Sequence, residues 1–165
     1  MKIYTREDDL LSFKELIDRN WMEDEFDPNF SDIDLNGEDL TSWDLHGLIL
    51  NNANLYKTNL SKANLRGASL KSADLTYGIL RFTRFQAADL TRAKLKNADL
   101  YRAHLANAIL CKADLSLTNL RRADLRNVDL SGAIVTDADF SYADLTGANL
   151  LGVFLGEANL TKAKL

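Results

Sequence analysis

The chain has 165 residues, of which 46% are apolar and 27% charged, with one proline and a net charge of −4. That apolar content excludes a disordered chain and fits one folded domain. No apolar run reaches the roughly 18 residues of a membrane span, so no membrane partner is expected.

Met1 to Leu10 carries Glu7, Asp8 and Asp9 where a secretory signal is basic and then apolar, so the expected location is cytoplasmic. Cys111 is the single cysteine. It allows no intramolecular disulfide, which suits a reducing compartment.

The first 25 residues do not repeat. Thr5 followed by Asp8 resembles a helix N-cap, and Leu10, Phe13, Leu16 and Ile17 recur at helical spacing on one side. This predicts an amphipathic helix over residues 5–20 in an N-terminal segment of residues 1–25.

From residue 26 to 165 the chain repeats every five residues, the feature to be read before any other because it decides the architecture. Every fifth position from Phe30 to Leu165 is Leu, Phe or Val, and 24 of these 28 are Leu. The others are Phe30, Phe85, Val135 and Phe140. Two residues earlier stands a small residue, Ala in 17 of the 23 cases between residues 53 and 163. The exceptions are Thr58, Gly78, Thr83, Thr118, Val128 and Val153. The residue directly before the Leu is most often Asp or Asn, as in Ala73-Asp74-Leu75, so the unit reads Ala-(Asp/Asn)-Leu-X-X.

A period of five excludes both regular elements. On an α-helix each successive Leu would rotate by about 140°, leaving no common face. On a continuous strand, whose side chains alternate, an odd spacing would send alternate leucines to opposite faces. Both apolar positions can point one way only if each short extended piece ends in a turn that resets the chain. A solenoid with a turn every five residues meets that condition.

With this unit the chain resembles the pentapeptide-repeat proteins over residues 26–165. The resemblance implies an all-β solenoid, a right-handed quadrilateral parallel β-helix with four repeats per coil and the Leu and Ala positions inward. Twenty residues per coil gives about seven coils, a rod of roughly 34 Å at the usual strand spacing. An open first coil exposes unpaired backbone, so the N-terminal helix is expected to cap it. In that coil the inward small positions hold Ile33, Glu38, Trp43 and Leu48. A buried Glu38 would be costly, so the coil is expected to be wide or partly open. At the other end the repeat runs in register to Leu165. The family pairs through such ends, so a homodimer through the C-terminal coil stands beside a merely frayed end.

Residues 1–27 carry a net charge of −5 and the repeats +1. The family's quinolone-resistance members bind DNA gyrase as mimics of duplex DNA, which needs a strongly anionic surface. The repeats lack one, which argues against that role. One side differs from the other three, that centred on Leu40, Leu60, Leu80, Leu100, Leu120, Phe140 and Leu160. It carries Lys62, Arg81, Phe82, Tyr101, Arg102, Arg121, Arg122 and Tyr142, a candidate partner-binding set in which basic and aromatic residues interleave. Arg and Tyr are enriched at interaction hot spots because both give large contact area in defined geometry. The functional reading is a non-catalytic scaffold or interaction rod that docks a protein partner here. Nucleic-acid binding along the same side is the alternative. The plain reading is that these arginines pair with aspartates on adjacent coils.

No catalytic residues are expected. His46 and His104 fall on one side but about three coils apart, roughly 14 Å, too far to share a metal ion or a proton. His104 would stack between Arg84 and Asp124 as part of a surface charge ladder. Asp124 and Asp144 without further ligands make a poor cation site. No phosphate-binding loop, Cys-His cluster or nucleophile motif occurs, so neither metal nor cofactor is expected.

Overall fold

The computed structural model describes Phe13 and residues 28–165. Apart from Phe13, the helix expected over residues 5–20 and the segment boundary near residue 25 lie outside the described residues.

From Asn29 to Asp144 the residue before the central Leu, Phe or Val, Ile134 excepted, forms a parallel bridge with the residue twenty positions on. Asn29 pairs with Ile49, Asp34 with Asn54, Asp39 with Asn59 and Asp44 with Asn64, and the cycle then begins again with Ile49 and Ser69. Four units therefore close one coil, and the expected four sides are present. Each bridge is isolated, because two extended residues per side leave no room for a longer strand.

One unit shows how the backbone is satisfied. The Leu115 N–H donates to the carbonyl of Ile134 on the next coil at 2.7 Å, and Leu117 N–H to that of Thr136 at 2.8 Å. Asp114 N–H donates backward to the Ala93 carbonyl at 3.0 Å, and Ala113 N–H closes the turn onto Leu110 at 3.0 Å. That leaves the N–H of Ser116, whose carbonyl partner is missing. The carboxylate of Asp114 accepts it at 3.0 Å. This two-residue Asx turn recurs at Asp34, Asp74, Asp89, Asp129, Asn149 and Asn159. It is the physical reason for Asp or Asn before the Leu. Where Ser69 replaces it, Asn51 of the preceding coil reaches across to accept from the Lys71 N–H at 3.0 Å.

The corner follows from the turn. Its third residue takes a positive φ, as a type II turn requires, at Gly67 (+63°) but also at Phe82 (+59°), Arg102 (+56°), Leu117 (+59°) and Arg122 (+60°). Side chains in this conformation are strained, and the cooperative ladder on either side holds them there.

The leucines inside are 0–1% exposed from Leu35 to Leu130, and each such burial stabilises by about 1.5–3 kcal/mol. The small position sits where the turning backbone crowds the interior. At Gly78 a Cβ would stand 2.9 Å from the Leu75 carbonyl oxygen. Threonines enter only by finding a partner there. Thr58, Thr83 and Thr118 donate to the carbonyls of Leu35, Leu60 and Leu95 at 2.8, 2.7 and 3.0 Å. A buried hydroxyl is thereby satisfied.

In the first coil the larger inward residues are unevenly buried. Ile33 and Leu48 are buried, while Glu38 and Trp43 are half-buried, which spares Glu38 full desolvation. Phe13 is fully buried at this end, edge-on to Phe30 at 5.0 Å and stacked on Trp43 at 5.9 Å between ring centroids. Toward residue 165 the ladder opens to solvent. Leu150, Leu155 and Leu160 are partly exposed, and Leu165 is 69% exposed.

Candidate interaction surface

Bridges from Asp39 through Asn59, Ile79, Asp99, Asn119 and Asp139 to Asn159 place the eight candidate residues on one side, as the twenty-residue arithmetic predicts. Lys62, Phe82, Arg102, Arg122 and Tyr142 occupy one corner column, all at positive φ. Arg81, Tyr101 and Arg121 stand two residues past the bridging positions of that side, each the second residue of its turn and next to that corner column.

The two sets of arginines behave differently. Arg81 pairs with Asp99, and Arg121 approaches Asp139 at 3.8 Å, each from the coil before its partner's. Here the plain charge-ladder reading holds. Arg102 and Arg122 form no ion pair among the described residues; their guanidinium groups lie over aromatic rings instead. Arg102 sits 5.5 Å from the Tyr101 ring centroid and Arg122 5.1 Å from that of Tyr142, which Lys162 approaches from the other side at 5.2 Å. Phe82 packs edge-on against Tyr101 at 5.9 Å. Stacking orients a guanidinium and leaves its N–H edge free.

Beside this corner lies a shallow groove of about 330 Å³, lined by Phe82, Arg102, Ala103, His104, Arg122 and Asp124. His104 belongs to the next side, bridged between Arg84 and Asp124 as the sequence predicts. Only the buried Ala103 separates it from Arg102, so the two flank the corner. The sequence reading assigned these residues to separate sides. The signal it passed over is that a corner residue and the residue two positions later always share an edge. Asp124 is already engaged, accepting two 2.7 Å hydrogen bonds from Arg126. The Arg126 hydrogen bond holds its carboxyl below the ordinary aspartate range, ahead of the opposing effect of burial.

A second aromatic and basic cluster, which the sequence reading did not single out, lies on the preceding side. Tyr56 and Tyr77 meet edge-on at 5.8 Å, with the Lys57 ammonium 5.1 Å from the Tyr56 centroid. Its other charges are spent in part, since Lys94 reaches Asp74 at 3.4 Å. His46 is bound to Asp44 at 2.9 Å, far from His104 along the rod. Among the described residues no group of three metal-ligating side chains occurs, and no helix is long and apolar enough to cross a membrane.

No curated protein sequence matches the chain. Among solved structures, trypsin-treated QnrB1 (R167E), a plasmid-mediated fluoroquinolone resistance protein, is similar with a TM-score of 0.61 and 22% identity. The match covers 86% of this chain and 76% of that one, a likeness of fold. A pentapeptide repeat protein of the Arabidopsis thaliana thylakoid lumen is 30% identical (TM-score 0.46), covering 73% of this chain and 70% of that one. HetL, a pentapeptide repeat protein involved in heterocyst differentiation regulation in Nostoc, is 26% identical (TM-score 0.44), covering all of this chain and 95% of its own. The family model for pentapeptide repeats matches in 8 copies from residue 29 to 165, and no catalytic family is indicated. With its five-residue unit, its four-sided coil and this match, the chain belongs to the pentapeptide-repeat family and folds as that family's right-handed quadrilateral β-helix.

Proposed function

We propose that this protein is a non-catalytic interaction rod that docks an acidic surface of a protein partner along its basic and aromatic side. The observation that carries the reading is the state of Arg102 and Arg122. Their neighbours Arg81 and Arg121 are neutralised by aspartates, whereas these two are held over tyrosines with their donor edges unspent. Unpaired, oriented guanidinium groups among exposed aromatic rings are the usual make-up of an interaction hot spot. The buried contact of Phe13 with Phe30 and Trp43 supports a separate role for residues 1–25, that of covering the first of about seven coils. The expected compartment remains the cytoplasm.

The test is affinity capture from nuclease-treated source cytosol with the wild-type rod and an Arg102→Glu, Arg121→Glu, Arg122→Glu variant whose circular dichroism matches the wild type. The expected result is a protein retained by the wild type and lost by the variant. Identical capture by both would move attention to the Tyr56–Tyr77 cluster or the ends of the rod. The interleaving of Arg102 with Tyr101 and Arg122 with Tyr142 favours one second reading, nucleic-acid binding. That binding would weaken steeply with rising salt. Gyrase mimicry is not proposed, because the repeats carry a net charge of +1.

A further inference from the structure

We infer that the groove between Arg102, Arg122 and His104 is a site for a phosphate monoester, the phosphorylated side chain of a protein partner. This rests on the docking reading above and names the chemistry at its centre.

Charge and donor count carry the inference. Arg102 and Arg122 stand at the same corner on successive coils, about 4.8 Å apart along the rod. Both line the groove, and neither has an acidic partner among the described residues. The groove's one carboxylate, Asp124, takes its hydrogen bonds from Arg126 and not from these two arginines, and it also attracts the His104 imidazole. Two arginines without an acidic partner thus line one groove with His104, and Arg84 stands next to His104 in its column.

A partner's carboxylate brings one charge and two oxygens, which a single guanidinium satisfies, leaving the second unpaired. A phosphate monoester brings a charge of about −1.5 to −2 at pH 7 and three acceptor oxygens, which match two guanidinium forks and one imidazole donor. A nucleic-acid phosphodiester carries one charge per group and is better met by a long basic stripe. Here the adjacent Arg81 and Arg121 are already paired. Each guanidinium already rests over a tyrosine ring, which lowers the cost of ordering it on binding. Phe82, 37% exposed and braced by Tyr101, gives the groove an apolar wall for the carbon skeleton bearing the phosphate. A volume of about 330 Å³ is at the lower end for small-ligand sites, enough for one side chain.

The chain has only two histidines, which makes the test direct. Phenyl phosphate is titrated into the full chain at neutral pH while the imidazole proton resonances of His104 and His46 are followed by NMR. The inference expects a saturable shift at His104 with His46 unmoved, and binding weakened at least about tenfold in the Arg102→Gln, Arg122→Gln double variant. Benzoate, a monoanion on the same ring, is expected to bind at least about tenfold more weakly than phenyl phosphate. Equal binding of benzoate, parallel shifts at both histidines, or no shift at His104 would each overturn the phosphate assignment. A single-stranded oligonucleotide that shifts His104 at lower concentration than phenyl phosphate, with a steep salt dependence, would also overturn it, in favour of polyanion binding. Glutamine keeps the length and polarity of these exposed side chains, and an unchanged circular dichroism spectrum certifies the fold. Partner capture that survives while phenyl phosphate fails to bind would remove the phosphate and leave the docking surface standing.

Discussion

Replacing Asp114 tests whether the residue before the central Leu is selected as a turn cap or as a charge. Its carboxylate accepts from the Ser116 N–H at 3.0 Å and from the Ser116 hydroxyl at 2.6 Å, and it makes no ion pair among the described residues. Asp114→Ala strands that N–H, the one amide of the unit with no carbonyl to bond. Ser116 is half-buried, so its hydroxyl can turn to water while the amide is recovered only in part. One such bond contributes about 0.5–1.5 kcal/mol, and N-cap replacements by Ala cost about 1 kcal/mol. The expected loss is therefore about 1 kcal/mol, read as a lower urea midpoint at unchanged slope. Asp114→Asn keeps the acceptor oxygen and discards the charge, so it is expected to stay within about 0.5 kcal/mol of wild type. Natural Asn at positions 54, 59 and 64 caps the Tyr56, Ser61 and Arg66 amides in the same way. If Asn costs as much as Ala, charge rather than capping governs the position and the reasoning is wrong. If Ala costs nothing, the cap is immaterial.

Gly67 lies at a corner with φ +63° and nothing within 4 Å of where a Cβ would stand, so Gly67→Val there meets only backbone strain. A loss of about 1–2 kcal/mol is expected, with Gly67→Asn much milder, measured by thermal melting. Acid should weaken the rod in a defined direction. Asp39 and Asp144, through their threonine hydroxyls, Asp124 through Arg126, and Asp129 through the Ser131 amide, all have carboxyls held below their ordinary value in the fold. Their stabilisation is complete above the unfolded aspartate pKa near 3.8 and disappears as pH falls through the lowered folded values. The melting midpoint should then be flat from neutral pH to about 5 and drop below about 4; a midpoint rising in acid would contradict these shifts.

The five-residue spacing by itself determined that the chain is a solenoid, because an apolar residue at every fifth position from Phe30 to Leu165 fits neither a helix nor a strand and requires a turn in every unit; the four sides and the hand came only with the family resemblance. Twenty-residue counting also placed Lys62, Arg81, Arg102 and Arg122 on one side, since a solenoid without insertions keeps sequence distance proportional to position. What the tertiary structure alone decided is which groups meet. The Asp and Asn before each Leu look like surface polarity in the sequence, and only the folded turn shows an amide without a carbonyl for them to cap. Arg81 and Arg102 belong to the same class in the sequence, yet one pairs with Asp99 and the other lies over Tyr101. Arg81 is the second residue of its turn and meets the bridging-column Asp99 of the next coil, whereas Arg102 is the third, at a left-handed corner, and lines a groove with His104. The groove joining Arg102 to His104 arises from that corner, because a periodic reading sorts residues into sides and leaves unseen the edges where two sides touch.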